Sequence, residues 1–263
     1  MPPHDAWSGA DAYDRYMGRW SRQMAGALLA WLDAPPGLRW ADVGCGTGAL
    51  SSAILARADP RAVHGFDLSP QFVAAARARV ADPRARFDEG DAAALPAEDG
   101  AFQVAASGLM MNFAPDPAAV AREMRRIVAP GGTVAAYLWD YAEGMRFIRV
   151  FWDAAAALRP SAAAEDEAVR FPVCRPDPLR ALFTDAGLRE VEVRALDIAT
   201  PFRDFDDFWA PFQGGQGPAP GYLAALDDAG RAHLRDEVRR RLPCDPDGAI
   251  HLTTRAWAVR GTA

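Results

Sequence analysis

The residues best placed to do chemistry lie in the run Trp40-Ala41-Asp42-Val43-Gly44-Cys45-Gly46-Thr47-Gly48. A strand that ends in closely spaced glycines lets the backbone approach a ligand where any side chain would collide. The helix expected after it presents unpaired N–H groups to that ligand. Asp67 stands at the end of the next expected strand, where a carboxylate can accept hydrogen bonds from both ribose hydroxyls of an adenosine. A second acidic turn, Gly90-Asp91-Ala92, follows the third. The loop alone leaves more than one chemistry open. Gly44, Gly46 and Ala49 also satisfy the loose dinucleotide pattern GxGxx(G/A).

Composition removes other chemistries. None of the 29 basic residues is Lys, so Schiff-base catalysis, a pyridoxal phosphate lysine and a phosphate-loop GK[ST] motif are all excluded. The net charge of −6 argues against a general nucleic-acid surface. The one dense basic cluster, Arg239-Arg240-Arg241, closes a helix-like stretch, where cations favour the helix dipole. Cys45, Cys174 and Cys244 form no CxxC pair and the histidines have no metal-ligand spacing, so no metal site is expected. No apolar run approaches the roughly 20 residues of a membrane span. The start, Met1-Pro2-Pro3-His4-Asp5, lacks the marks of a secretory signal. The chain reads as cytoplasmic.

The elements that must position the loop alternate. A helix is expected over 10–34, then strands at 38–43, 62–66, 85–88, 102–107 and 133–138, with helices at 47–57, 70–80 and 117–128 between them. Pro130-Gly131-Gly132 should turn the chain into the fifth strand. A helix over 177–186 and a strand over 190–196 follow, and a last strand runs over 250–259. Strands and helices in alternation with short links imply a parallel, doubly wound α/β sheet. Residues 1–263 read as one domain. Segments 1–35, 140–175 and 200–248 interrupt or flank the alternation and are expected to form a helical lid.

The motifs taken together carry a resemblance. Asp42 to Gly48 resembles motif I of the class I S-adenosylmethionine-dependent methyltransferases. Phe66-Asp67-Leu68-Ser69 resembles their ribose-binding strand end, and Gly90-Asp91-Ala92 with Leu95-Pro96 their adenine-contacting turn. Glu123 and Arg126, through Pro130-Gly131-Gly132, are similar to the helix and turn before strand five. Gln103 departs from the usual Phe-Asp after the acidic turn. Tyr13 to Trp20 resembles the N-terminal helix of the ubiquinone/menaquinone-type C-methyltransferase subgroup. The resemblance covers about residues 36–140. It implies a seven-stranded sheet with an antiparallel last strand, and S-adenosyl-L-methionine as cofactor. Asp67 would then hold the ribose and Asp91 the adenine amino group, with Ala92 beside it. Gly44 and Gly46 would make room for the methionine portion. Tyr13 and Arg19 would close over the cofactor, Arg19 reaching its carboxylate. Cys45, Leu68 and Ser107 complete the cofactor edge.

Methyl transfer needs its reactants held in line and water excluded, and a base only where the acceptor must lose a proton. Ser107, Asn112 and Phe113 follow strand four, and Trp139 follows strand five, at the strand ends where such sheets bind ligands. His251, at the start of an antiparallel last strand, would share that edge and is the candidate general base. Phe202, Phe205, Phe208, Trp209 and Phe212 make an aromatic stripe that is either core or acceptor cage. With Asn112, Phe113 and Trp139, the stripe's Trp209 and Phe212 are the candidate acceptor contacts, which would suit a small flat or greasy molecule. Three other readings stay open: a cofactor-binding enzyme that does not transfer methyl, a nicotinamide-dependent oxidoreductase and a non-catalytic binding protein.

Overall fold

The computed structural model describes residues 17–215 and 217–263. Seven strands, β1 (Arg39–Val43), β2 (Ala62–Asp67), β3 (Ala85–Glu89), β4 (Phe102–Gly108), β5 (Val128–Trp139), β6 (Arg189–Phe202) and β7 (Ile250–Thr262), form one sheet in the order β3-β2-β1-β4-β5-β7-β6. β1 pairs in parallel with β2 and β4, β2 with β3, and β4 with β5. Six strands run parallel and β7 runs against them. Buried runs such as Trp40–Val43 and Val134–Trp139 reflect a sheet covered on both faces.

Local chemistry sets the helix starts. Ser69 caps the helix Pro70–Arg79 by accepting from Phe72 N–H, and Asp116 caps Pro117–Arg126 by accepting from Ala119 N–H. In both, a proline occupies the first turn, where its missing N–H costs nothing. Pro130-Gly131-Gly132 differs from expectation, because it lies inside β5 rather than ahead of it. The register steps from Phe102↔Val128 to Val104↔Thr133, so Gln103 alone on β4 is spanned by residues 129–132 on β5. The bulged segment finds its hydrogen bonds at the chain end, Gly131 N–H donating to Ala263 O and Ala263 N–H to Gly132 O.

The chain folds as two compact units. One comprises Ser21–Leu138, Arg175–Leu196 and Ala256–Ala263; the described part of the other is 17–20, Trp139–Cys174 and Asp197–Arg255. The interrupting segments 140–175 and 200–248 belong almost wholly to the second unit, whereas most of the helix Arg19–Leu32 belongs to the first.

The second unit is built around aromatic rings. Phe151 stacks on Phe212 at 4.8 Å, Phe202 meets Phe208 edge-on at 5.1 Å, and Phe205 stacks on Trp209 at 6.0 Å. Phe202, Phe205, Phe208, Trp209 and Phe212 are all buried, so the stripe is the core of this unit. Such pairs contribute about 0.5–1.5 kcal/mol each beyond their burial. Glu167, at the start of the short helix Glu167–Arg170, accepts a hydrogen bond from Trp152 Nε1, and burial pushes its carboxyl up to about 7.

Candidate functional site

The glycine turn and Asp67 form one hydrogen-bonded unit at the carboxyl edge of β1 and β2. Gly44 N–H and Cys45 N–H both donate to Phe66 O, at 2.8 and 2.9 Å. Gly46 N–H donates to Asp67 Oδ2 at 2.9 Å, and Ser69 N–H donates to Asp67 Oδ1 at 2.9 Å. An ionised carboxylate offers about four lone-pair sites. With one site used on each oxygen, each keeps one free for a vicinal diol. Burial raises the Asp67 pKa, opposed by the hydrogen bonds from Ser69 and Gly46.

Gly46 has φ +52°, and no atom of the described residues lies within 4 Å of where a Cβ would stand, so among those residues the turn faces open space. Gly44 serves a different purpose. At φ +73°, a Cβ there would lie 2.5 Å from Met110 Cγ. Met110, which follows β4, therefore packs directly on the glycine turn. Leu68, beside Asp67, leaves 72% of its surface exposed, an apolar face available to a flat ring. The side chain of Cys45 points the other way, into a cluster with Val73, Ala76 and Phe87. Cys45 therefore takes part in the turn through its backbone N–H.

The acidic turn is held from behind by an ion pair. Glu123 Oε1 accepts from Leu95 N–H at 2.6 Å, and Arg126 grips both Glu123 oxygens at 2.8 and 2.6 Å. Arg126 also donates to Ala97 O and to Asp99. The guanidinium lowers the Glu123 pKa and is itself raised. Asp91 closes its own turn by accepting from Ala93 N–H at 2.9 Å, leaving an exposed carboxylate with Ala92 next to it. Glu123→Gln should cost about 1.5–3 kcal/mol of stability, the range for a hydrogen bond to a charged group. Urea unfolding checks this.

Beneath the turn Asp42 is 1% exposed, with Oδ2 accepting from Ser51 Oγ at 2.7 Å and Oδ1 unpartnered among the described residues. Burial pushes its carboxyl up to about 7, against the hydrogen bonds from Ser51. The unfolded chain ionises this group near an ordinary carboxylate value of about 3.9. Folding then favours the protonated form. The stabilisation is complete below that value, is lost as pH rises towards about 7, and is level above. Glu167 acts in the same direction. Asp42→Asn, which cannot ionise, should flatten part of this fall, and urea unfolding at pH 5 and pH 8 measures it. An equal fall in mutant and wild type would contradict the assignment.

Other residues singled out from the sequence are placed as follows. Ser107 is buried near the end of β4, and Asn112 is buried in the 3-10 turn Met111–Phe113 with Phe113. Trp139, at the end of β5, is 2% exposed and belongs to the aromatic unit. Trp209 and Phe212 line a cavity of about 390 Å³ within that unit, with Pro220, Leu223 and Arg231. Arg19 stacks over Trp20 and Phe202 and donates to Asp207 at 3.4 Å. Tyr13 lies outside the described residues. His251 has a side chain 67% exposed, 3.5 Å from an exposed Asp245. His64 packs on Phe66 and pairs with Asp88 at 2.8 Å, a structural role. Ser51, Met110 and the clamping role of Glu123 and Arg126 escaped sequence reasoning. An acid three residues before an arginine on a helix was the available signal for the clamp.

Comparison with known proteins points to a methyltransferase family. A family model described as a methyltransferase domain matches residues 41–132. A demethylmenaquinone methyltransferase of Roseiflexus castenholzii is 31% identical over 180 residues, covering 64% of this chain and 75% of the relative. A 2-methyl-6-phytyl-1,4-hydroquinone methyltransferase of Synechocystis is 38% identical over 131 residues, covering 48% of this chain and 41% of the relative. Among solved structures, a Haemonchus contortus phosphoethanolamine N-methyltransferase in complex with S-adenosylhomocysteine superposes with a TM-score of 0.61 at 18% identity, over 97% of this chain and 57% of that one. No helix among the described residues is long and apolar enough to cross a membrane.

Proposed function

Because the chain is a class I S-adenosylmethionine-dependent methyltransferase of the quinone-methyltransferase type, we propose that its methyl acceptor is a small aromatic or otherwise apolar molecule. The observation that carries the cofactor placement is Asp67, held by Gly46 N–H and Ser69 N–H beside an open glycine turn. The residues present fit a nucleoside-bearing group. Asp67 keeps lone pairs for two hydroxyls, Leu68 offers an apolar face, and Gly46 leaves unfilled space where a side chain would otherwise stand. Asp91, fixed through the Glu123–Arg126 clamp, is the hydrogen-bond acceptor for the adenine amino group.

A group held there with a methyl on a cationic sulfur would supply an activated carbon, to which an acceptor's electron pair bonds as the carbon–sulfur bond breaks and S-adenosylhomocysteine leaves. The protein's own work is orientation and exclusion of water. The Phe66 carbonyl and Asp67 carboxylate fix the turn before any ligand arrives, so little ordering is left for binding to supply. We assign no general base. An imidazole as exposed as that of His251, beside an exposed Asp245, is neither shielded nor oriented for acid–base work.

The apolar-acceptor reading is supported by the quinone-type relatives. Incubation with methyl-labelled S-adenosylmethionine and a panel of phenols, quinols, amines and carboxylic acids tests it. Label should enter an aromatic hydroxyl compound, with one S-adenosylhomocysteine released per methyl transferred. Transfer confined to hydrophilic amines or acids would overturn the acceptor class.

A further inference from the structure

The end of β4 and the turn after it hold polar side-chain atoms that are unpaired among the described residues. Ser107 Oγ and Asn112 Nδ2 are buried with no hydrogen-bond partner among the described residues, in residues that are 1% and 9% exposed. A buried polar group left unpaired costs about 1–3 kcal/mol, and native proteins keep few of them. The same six residues carry a second cost. Leu109, between the two, has φ +61°, a left-handed conformation that costs a residue with a side chain about 1–2 kcal/mol. Strain of this kind persists where the surrounding structure has a use for the geometry.

That geometry has a visible result. Leu109 N–H ends the strand by donating to Tyr137 O at 2.9 Å, and the next residue, Met110, is laid against Gly44. The segment is thus fastened to the glycine turn, at the carboxyl edge of the parallel strands where such sheets take ligands. A donor that is buried at that edge and unpaired among the described residues is suited to a ligand oxygen.

We propose that Asn112 determines acceptor specificity, its side-chain amide donating a hydrogen bond to a hydroxyl or carbonyl oxygen of the methyl acceptor, with Ser107 as a second polar contact from the same segment. The assignment rests on the methyl-transfer reading above. The amide nitrogen can only donate, so it favours an acceptor with an oxygen lone pair. It discriminates against the same skeleton carrying a methyl group there, because the complex would leave the amide unpaired.

The test compares 1-naphthol with its near-isostere 1-methylnaphthalene, by equilibrium dialysis with S-adenosylhomocysteine present. The wild type should prefer 1-naphthol by about tenfold, as one net hydrogen bond provides. Asn112→Leu should reduce that preference to within about twofold and leave S-adenosylhomocysteine affinity unchanged. It should also melt at the same temperature or higher, since it removes an unpaired buried group without opening a large cavity. Asn112→Ala repeats the comparison with a smaller side chain. A preference for 1-naphthol that survives both substitutions would overturn the assignment. So would a wild type that binds S-adenosylhomocysteine but shows no preference, which leaves the methyl-transfer reading intact. A markedly lower melting temperature for Asn112→Leu would make the amide structural and likewise overturn it. Absence of S-adenosylhomocysteine binding to the wild type would instead defeat the cofactor placement on which the proposal rests.

Discussion

Gly46→Val is expected to remove S-adenosylhomocysteine binding while the protein still folds. The new side chain would meet no atom of the described residues within 4 Å at its Cβ, so it projects into the space beside Asp67 rather than into the core. Its cost to folding is the left-handed backbone at φ +52°, about 1–2 kcal/mol for a residue with a side chain. That is small against the 5–15 kcal/mol or so by which domains are usually stable. Gly131→Val supplies the control. Gly131 also has positive φ and open space at its Cβ, but it lies in the bulge at the beginning of β5, away from the carboxyl edge. It should bear similar strain and bind normally. Calorimetry with circular dichroism separates the two, and normal binding by Gly46→Val would reduce the loop to a structural turn.

Asp67→Ala should weaken S-adenosylhomocysteine binding by about 1.5–3 kcal/mol, the range for hydrogen bonds to a charged group, or roughly 10–150-fold. The same substitution strips Gly46 N–H and Ser69 N–H of their partner, so part of the loss is a looser turn. The pH dependence isolates the charge. Burial raises the Asp67 pKa, so affinity should fall on acidification at a higher pH than an ordinary carboxylate, with its value of about 3.9, would give. In Asp67→Ala that limb should vanish. Calorimetric affinities that match between wild type and mutant at neutral pH would remove Asp67 from the site.

Much of this was legible in the sequence because punctuation residues carry local physics. The expected strands 62–66 and 102–107 appear as Ala62–Asp67 and Phe102–Gly108, bounded by turns and proline-led helices that need no tertiary partner. Pro130-Gly131-Gly132 misled for the same reason. Proline and glycine mark a turn equally well as a bulge, and only the chain end at Ala263 decided between them. The aromatic stripe shows another limit. Periodicity reveals a buried face but not what covers it, and here the rings cover one another. The inward turn of Cys45 follows from the backbone path of the loop. The left-handed Leu109, and with it the contact of Met110 on Gly44, has no local signal at all, since leucine is not a residue that announces positive φ.

We propose that the edge formed by Gly44, Gly46 and Asp67 holds S-adenosylmethionine. Titration of the wild-type chain with S-adenosylhomocysteine, read by calorimetry and by thermal unfolding, tests it most directly. One molecule should bind per chain, and ligand at a hundred times its Kd should stabilise the fold by about 2.7 kcal/mol, with Asp67→Ala losing about half of the effect or more at the same concentration. No heat of binding and no change in melting temperature at millimolar ligand would show that this edge does not hold the cofactor.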